Sequence, residues 1–215
     1  MQVRTRHTPT FGVARLQLAP GESVYADYAA LVATSYGVLV DPRVRGGSRT
    51  RTRPTTFTAP PEGGWVDLAP SAPGDVYVLE LDGMAGWCVS RGSTLAQGGM
   101  LRIDPQWPGF RQLFGTEIGF LDHVSGAGPL VLSCCGTVDV ITLEAGEAIT
   151  VEPGYLLAYS EHTQARLRAV SQSMPQSVRS GEGLLLDFAG PGQLLAQTRN
   201  PRTFANWLAA TASQR

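Results

Sequence analysis

Apolar and polar residues alternate with period two through most of this chain, and glycine or proline interrupts the alternation about every eight to twelve residues. That pattern predicts many short strands joined by tight turns. The pattern also recurs. Leu16-Gln17-Leu18 runs into Gly21, Leu79-Glu80-Leu81 into Gly83, and Ile141-Thr142-Leu143 into Gly146. A second marker keeps step: Gly64, Gly128 and Gly192 each stand two residues ahead of an apolar strand start, at Val66, Leu130 and Leu194. A fixed internal period means one supersecondary unit copied and packed on its copies. The fold class expected is all-β, with three pseudo-repeats at about 10–70, 71–134 and 135–199. No unit has enough apolar surface to fold alone, so one domain over residues 1–215, closed around a pseudo-threefold axis, is expected.

Within each unit a second strand follows the glycine turn, at Ser23-Val24-Tyr25-Ala26, Gly86-Trp87-Cys88-Val89 and Ala148-Ile149-Thr150-Val151. A third apolar stretch comes next, at Ala30–Ala33, Thr94–Ala96 and Tyr155–Tyr159. The end of the chain departs from this plan. Asn200 can cap free amides and Pro201 suits the first helical position, which predicts a helix over about 201–211. Phe204, Trp207 and Leu208 fall at i, i+3 and i+4, an apolar stripe that should dock on the β body or on a neighbouring subunit.

Composition supports this picture and narrows the chemistry. With 43% hydrophobic and 16% charged residues over 215 positions, the chain can bury a full core. A net charge of −1 provides no global field to attract nucleic acid or an acidic membrane. All the basic residues are arginine, which reads as the codon bias of a GC-rich bacterial genome. Cys88, Cys134 and Cys135 lack zinc or haem spacing, and adjacent strand residues face opposite ways, so buried, reduced thiols are expected. No window reaches the length of an apolar membrane span, and a cytoplasmic protein is the expectation.

Three stretches resemble the altered inheritance of mitochondria protein 24 family: Leu18-Ala19-Pro20-Gly21-Glu22-Ser23-Val24, Pro73-Gly74-Asp75 leading to Leu79-Glu80-Leu81, and Gly181-Glu182-Gly183-Leu184 through Phe188-Ala189-Gly190-Pro191-Gly192. The resemblance covers about residues 10 to 200. It implies a fold related to the tryptophan RNA-binding attenuator protein, a body of the double-stranded β-helix kind with three pseudo-repeats in one chain. It implies a scaffold more than a reaction, because the family brings no agreed catalytic residues. This chain departs from the family where many members carry an apolar, glycine-rich hairpin: here stands Arg43-Val44-Arg45-Gly46-Gly47-Ser48-Arg49-Thr50-Arg51-Thr52-Arg53. The corresponding stretch of the third unit, at Ser171–Gln176, is also polar.

The arginine run is the sharpest local signal. If extended, it sets Arg49, Arg51 and Arg53 on one face, with Arg45 nearby, as a basic strip suited to phosphate or carboxylate. The simpler reading is a solvated hairpin whose charges keep a sheet edge from aggregating. Metal binding of the cupin kind would need His123, His162 and Glu161 to meet across the fold, since no His-x-His motif exists. The glycine turns lack the strand–turn–helix setting of a nucleophile elbow or phosphate loop. Glu22, Glu147 and Glu182 read as turn residues. Trp107 and Phe110, in the rigid Asp104–Phe110 loop, are interface candidates beside Phe204, Trp207 and Leu208.

Together these readings point to a non-enzymatic bacterial binding or scaffold protein, self-associating and displaying loops to an unknown protein partner, with no cofactor. Anion or nucleic-acid binding through the Arg43–Arg53 loop is the first alternative. A cupin-like metal-dependent enzyme is the second.

Overall fold

The computed structural model describes residues 1–42, 54–105, 120–170 and 183–213. A strand that the period did not announce, β1 (Gln2–Arg6), comes first. The first unit then supplies β2 (Val13–Leu18), β3 (Ser23–Asp27), β4 (Leu31–Thr34), β5 (Leu39–Pro42), β6 (Pro54–Thr58) and β7 (Gly64–Leu68). The second supplies β8 (Val76–Asp82), β9 (Trp87–Ser90), β10 (Thr94–Gly98), β11 (Arg102–Asp104), β12 (Leu121–Ser125) and β13 (Ala127–Ser133). The third supplies β14 (Val138–Leu143), β15 (Ala148–Val151), β16 (Leu156–Ser160), β17 (Gln164–Ala169), β18 (Leu184–Ala189) and β19 (Gly192–Gln197), and α1 (Pro201–Ala212) ends the described chain.

The apolar triplets form β2, β8 and β14 as expected, and the turns behind them depend on their glycines. Gly21, Gly83 and Gly146 all have positive φ, which costs other residues steric strain. Glu22 and Glu147 tighten two of these turns by accepting from the backbone amides of Ala19 and Glu144, each at 2.8 Å.

Strand pairing shows how successive units join. The sheets run β1-β2-β7-β4, β5-β6-β3-β10-β13-β8, β11-β12-β9-β16-β19-β14 and β15-β18-β17. Each six-stranded sheet is therefore half one unit and half the next, joined by antiparallel β3–β10 or β9–β16 pairs. One irregularity recurs in all three units, a register shift between Leu31 and Ala33, between Thr94 and Ala96, and between Leu156 and Ala158. No described strand of the first unit is hydrogen-bonded to one of the third.

Three cores lie between the four sheets. Phe57, Leu16, Leu68 and Val131 belong to the first, Leu130, Leu132, Val89 and Leu157 to the second, and Phe188, Leu156, Leu186 and Leu194 to the third. Alternation divides one strand between two cores: Val131 faces the first, while Leu130 and Leu132 face the second. Inner strands such as β13 and β16 are buried on both faces for this reason, and residues 130–132 and 156–159 read as continuous runs of buried residues. The three thiols are free and buried, as their spacing suggests.

Helix α1 forms where expected, with Asn200 accepting from the amides of Arg202 and Thr203. It does not dock on the β body. None of its residues is buried, and Trp207 is 60% exposed. The cap fixes its start, because Asn200 Nδ2 donates to Glu152 Oε2 at 3.2 Å, but no described element buries its stripe of Phe204, Trp207 and Leu208. Phe204 instead stacks on Trp207, with ring centroids 6.2 Å apart.

Candidate functional site

Among the described residues, three side-chain clusters and an open cleft bear most directly on chemistry. In the first cluster, Asp67, next to the last residue of β7, is buried on the sheet that ends the first unit. Arg15 Nε and Nη2 donate to its two oxygens at 2.7 and 2.8 Å, and Arg6 Nη2 adds a third bond at 2.8 Å. The Arg15 guanidinium lies 4.0 Å over the Trp65 ring, which holds the fork in place. Arg15, then Arg6, holds the Asp67 carboxyl at about 2 against the opposing effect of burial. Sequence reasoning missed this cluster, yet a signal existed. Asp67 stands opposite Ala33, as Val131 stands opposite Ala96 and Leu195 opposite Ala158, so a charge occupies an apolar repeat position.

The second cluster brings together two residues expected to meet only through tertiary structure. His123 on β12 and Glu161 after β16 form a hydrogen bond of 2.7 Å between Nε2 and Oε2. Gly86 makes room for it, because a Cβ there would lie 2.3 Å from His123 Nε2 and 2.6 Å from Glu161 Oε2. Burial works to raise the Glu161 carboxyl, but the Gly86 amide and His123 hold it below its ordinary value. Exposed His162 is near enough to act electrostatically on Glu161 and Asp82. Among the described residues, no group of three or more His, Cys, Asp or Glu side chains could hold a metal ion. The pair reads as an interlock between the second and third units.

The third cluster joins Cys88 and Tyr159 in the third core. Burial pushes the Cys88 thiol up to about 11 and raises the Tyr159 hydroxyl as well. Cys134 is likewise pushed to about 11, chiefly by burial, so none of these groups is poised as a nucleophile at neutral pH. The cleft, of about 460 Å³, opens where Thr10 and Phe11 meet Pro73, Gly136, Thr137, Thr198 and Arg199. Among the described lining residues, Arg199 is the titratable side chain.

Arg45, Arg49, Arg51 and Arg53 lie outside the described residues, as do Trp107, Phe110 and Glu182. Phe204, Trp207 and Leu208 are described, and the helix presents them to solvent, half-buried at Phe204 and exposed at the other two. No helix among the described residues is long and apolar enough to cross a membrane.

Stacked antiparallel sheets, built from nearly all of the described chain, define an all-β protein. Residues 3–199 match the family described as Mitochondrial biogenesis AIM24, and the chain belongs to that family. An uncharacterized protein of Streptococcus pyogenes serotype M6 is 31% identical over 148 residues, which is 67% of this chain. The aligned part is 58% of that relative's length. The crystal structure of a second Streptococcus pyogenes protein superposes with a TM-score of 0.75, covering 98% of this chain and 99% of the other at 23% identity. That likeness establishes the all-β fold.

Proposed function

We propose that this protein is a non-catalytic scaffold of the bacterial cytoplasm, whose β bodies associate with one another and hold α1 out to a protein partner. One observation carries the reading: α1 buries none of its residues yet aligns Phe204, Trp207 and Leu208 at i, i+3 and i+4. Exposed aromatic and leucine side chains at that spacing are the anchors by which a helix enters an apolar groove. The partner's chemistry follows: a protein with an apolar groove wide enough for a tryptophan.

The test places a photo-crosslinking residue at Leu208 in the native host, with a control at Asp41 on β5. Expected is an adduct specific to the Leu208 position. Its purified partner should then bind the wild-type protein, with Trp207→Ala weakening binding by roughly tenfold or more. Adducts equal at both positions, or reconstituted binding indifferent to Trp207→Ala, would refute the display of α1.

A further inference from the structure

The sheets that end the chain at either side are two halves of a sheet the protein builds whole twice. In both six-stranded sheets a three-strand half from one unit meets a three-strand half from the next, in the orders β5-β6-β3 with β10-β13-β8 and β11-β12-β9 with β16-β19-β14. Among the described residues, the remaining sheets are β15-β18-β17, without a second half, and β4-β7-β2-β1, without a first. Placing β15 beside β4 regenerates the same order.

Burial marks the same vacancy. Counted from the recurring register shift, Val32 of β4 corresponds to Leu95 of β10 and Leu157 of β16. Leu95 enters the first core and Leu157 the second, each therefore the core of the preceding unit. They are 4% and 0% exposed, whereas Val32 is 56% exposed. On the opposite edge, Val151 of β15 is half-buried, while its counterparts Ala26 and Val89 are buried.

Edge composition singles out these two strands. Exposed edges are normally blocked by charge or proline. Of the strands that end a sheet, β1 carries Arg4 and Arg6, β5 Asp41 and Pro42, β8 Glu80 and Asp82. Likewise β11 carries Arg102 and Asp104, β14 Asp139, and β17 Arg166 and Arg168. Leu31-Val32-Ala33-Thr34 and Ala148-Ile149-Thr150-Val151 carry neither device.

We propose that copies of this chain assemble head to tail, the edge of β15 in one copy pairing antiparallel with the edge of β4 in the next. The two internal junctions set the register. Ala96 faces Ala26 and Ala158 faces Val89, so Ala33 faces Val151 of the partner; Thr34 then faces Thr150 and Ser35 faces Ile149. Val32 enters the third core of the neighbouring copy. The occupant is a second copy rather than the same chain because β4 and β15 lie in the first and last sheets, and no core cluster holds residues of both end units. Asp67, where the other units have Val131 and Leu195, puts a charge on this face, and Arg15 opposite it on β2 together with Arg6 neutralises it. A head-to-tail contact has different surfaces on its two sides, so it propagates until rotation closes a ring. The inference names the self-contact that the scaffold reading requires.

The experiment mixes purified Thr34→Cys and Thr150→Cys proteins under mild oxidation, the native thiols being buried. A disulfide-linked dimer in the mixture, absent from either variant alone and weak when Thr150→Cys is replaced by Ala148→Cys, is expected. Native mass spectrometry should show multiples of the 22.9 kDa chain, reduced to the single chain by Val32→Lys with its melting temperature retained. Multiples that survive Val32→Lys without the mixed disulfide would overturn this pairing while leaving self-association intact. A wild-type protein that stays a single chain would overturn both.

Discussion

Replacing Asp67 with asparagine removes a buried negative charge while keeping the shape and one acceptor oxygen of the side chain. In the native protein that charge takes three hydrogen bonds, two from Arg15 and one from Arg6, all between 2.7 and 2.8 Å. These interactions lower the carboxyl from 3.8 to about 2. At roughly 1.4 kcal/mol per pH unit the shift corresponds to about 2 kcal/mol of folding stability. Both arginines remain more than a third exposed, so they rehydrate when the carboxylate is lost. That keeps the expected loss near 2 kcal/mol, below the roughly 3–5 typical of stranding a fully buried charge. The pH dependence has a fixed sign. Between the folded and unfolded values the native state binds fewer protons than the unfolded chain. The contribution is therefore whole above about pH 5 and is lost as pH falls through 3.8 towards 2. Urea denaturation of wild type and Asp67→Asn, at pH 7 and again near pH 3, measures it. The stability gap should be about 2 kcal/mol at pH 7 and clearly smaller at the lower pH. A gap that is absent at pH 7, or that does not change with pH, would refute the argument that the arginines stabilise the charged form.

Two other outcomes follow from the packing. Gly86→Ala should destabilise the protein by about 1–3 kcal/mol, because the added methyl occupies the space of the His123–Glu161 hydrogen bond. Thermal unfolding measures this, and Glu161→Gln should recover little of the loss, since its amide is as large as the carboxylate it replaces. The thiols of Cys88, Cys134 and Cys135 should resist iodoacetamide at pH 8 in the folded state and react fully in urea, as intact mass will show; rapid native labelling would mean that the cores open far more readily than their burial implies.

The C-terminal helix shows where sequence reasoning holds and where it stops. Asn200 and Pro201 satisfy the first turn locally, so the helix start is legible in a few residues. Whether its stripe finds a surface depends on elements far away in the chain, and no described element buries it. His123 and Glu161 make the same point in reverse. No spacing rule links them, and they meet because β12 and β16 both pair with β9. Asp67 was half-legible, as a charge breaking the repeat, but its arginines come partly from β1, a strand outside the period.

By itself, the sequence determined the local geometry. Period-two alternation, glycines at turns requiring positive φ, and markers recurring along the chain dictate short strands in three similar units, because those preferences act over a few residues. Only the tertiary structure decided that a unit shares each inner sheet with its successor, that the inner strands serve two cores at once, and that β4 and β15 are left at the ends. Equivalent strands in a repeat carry near-equivalent patterns. Which copy covers which edge is therefore a property of the assembled sheets and of their number, and the residues of one strand do not encode it.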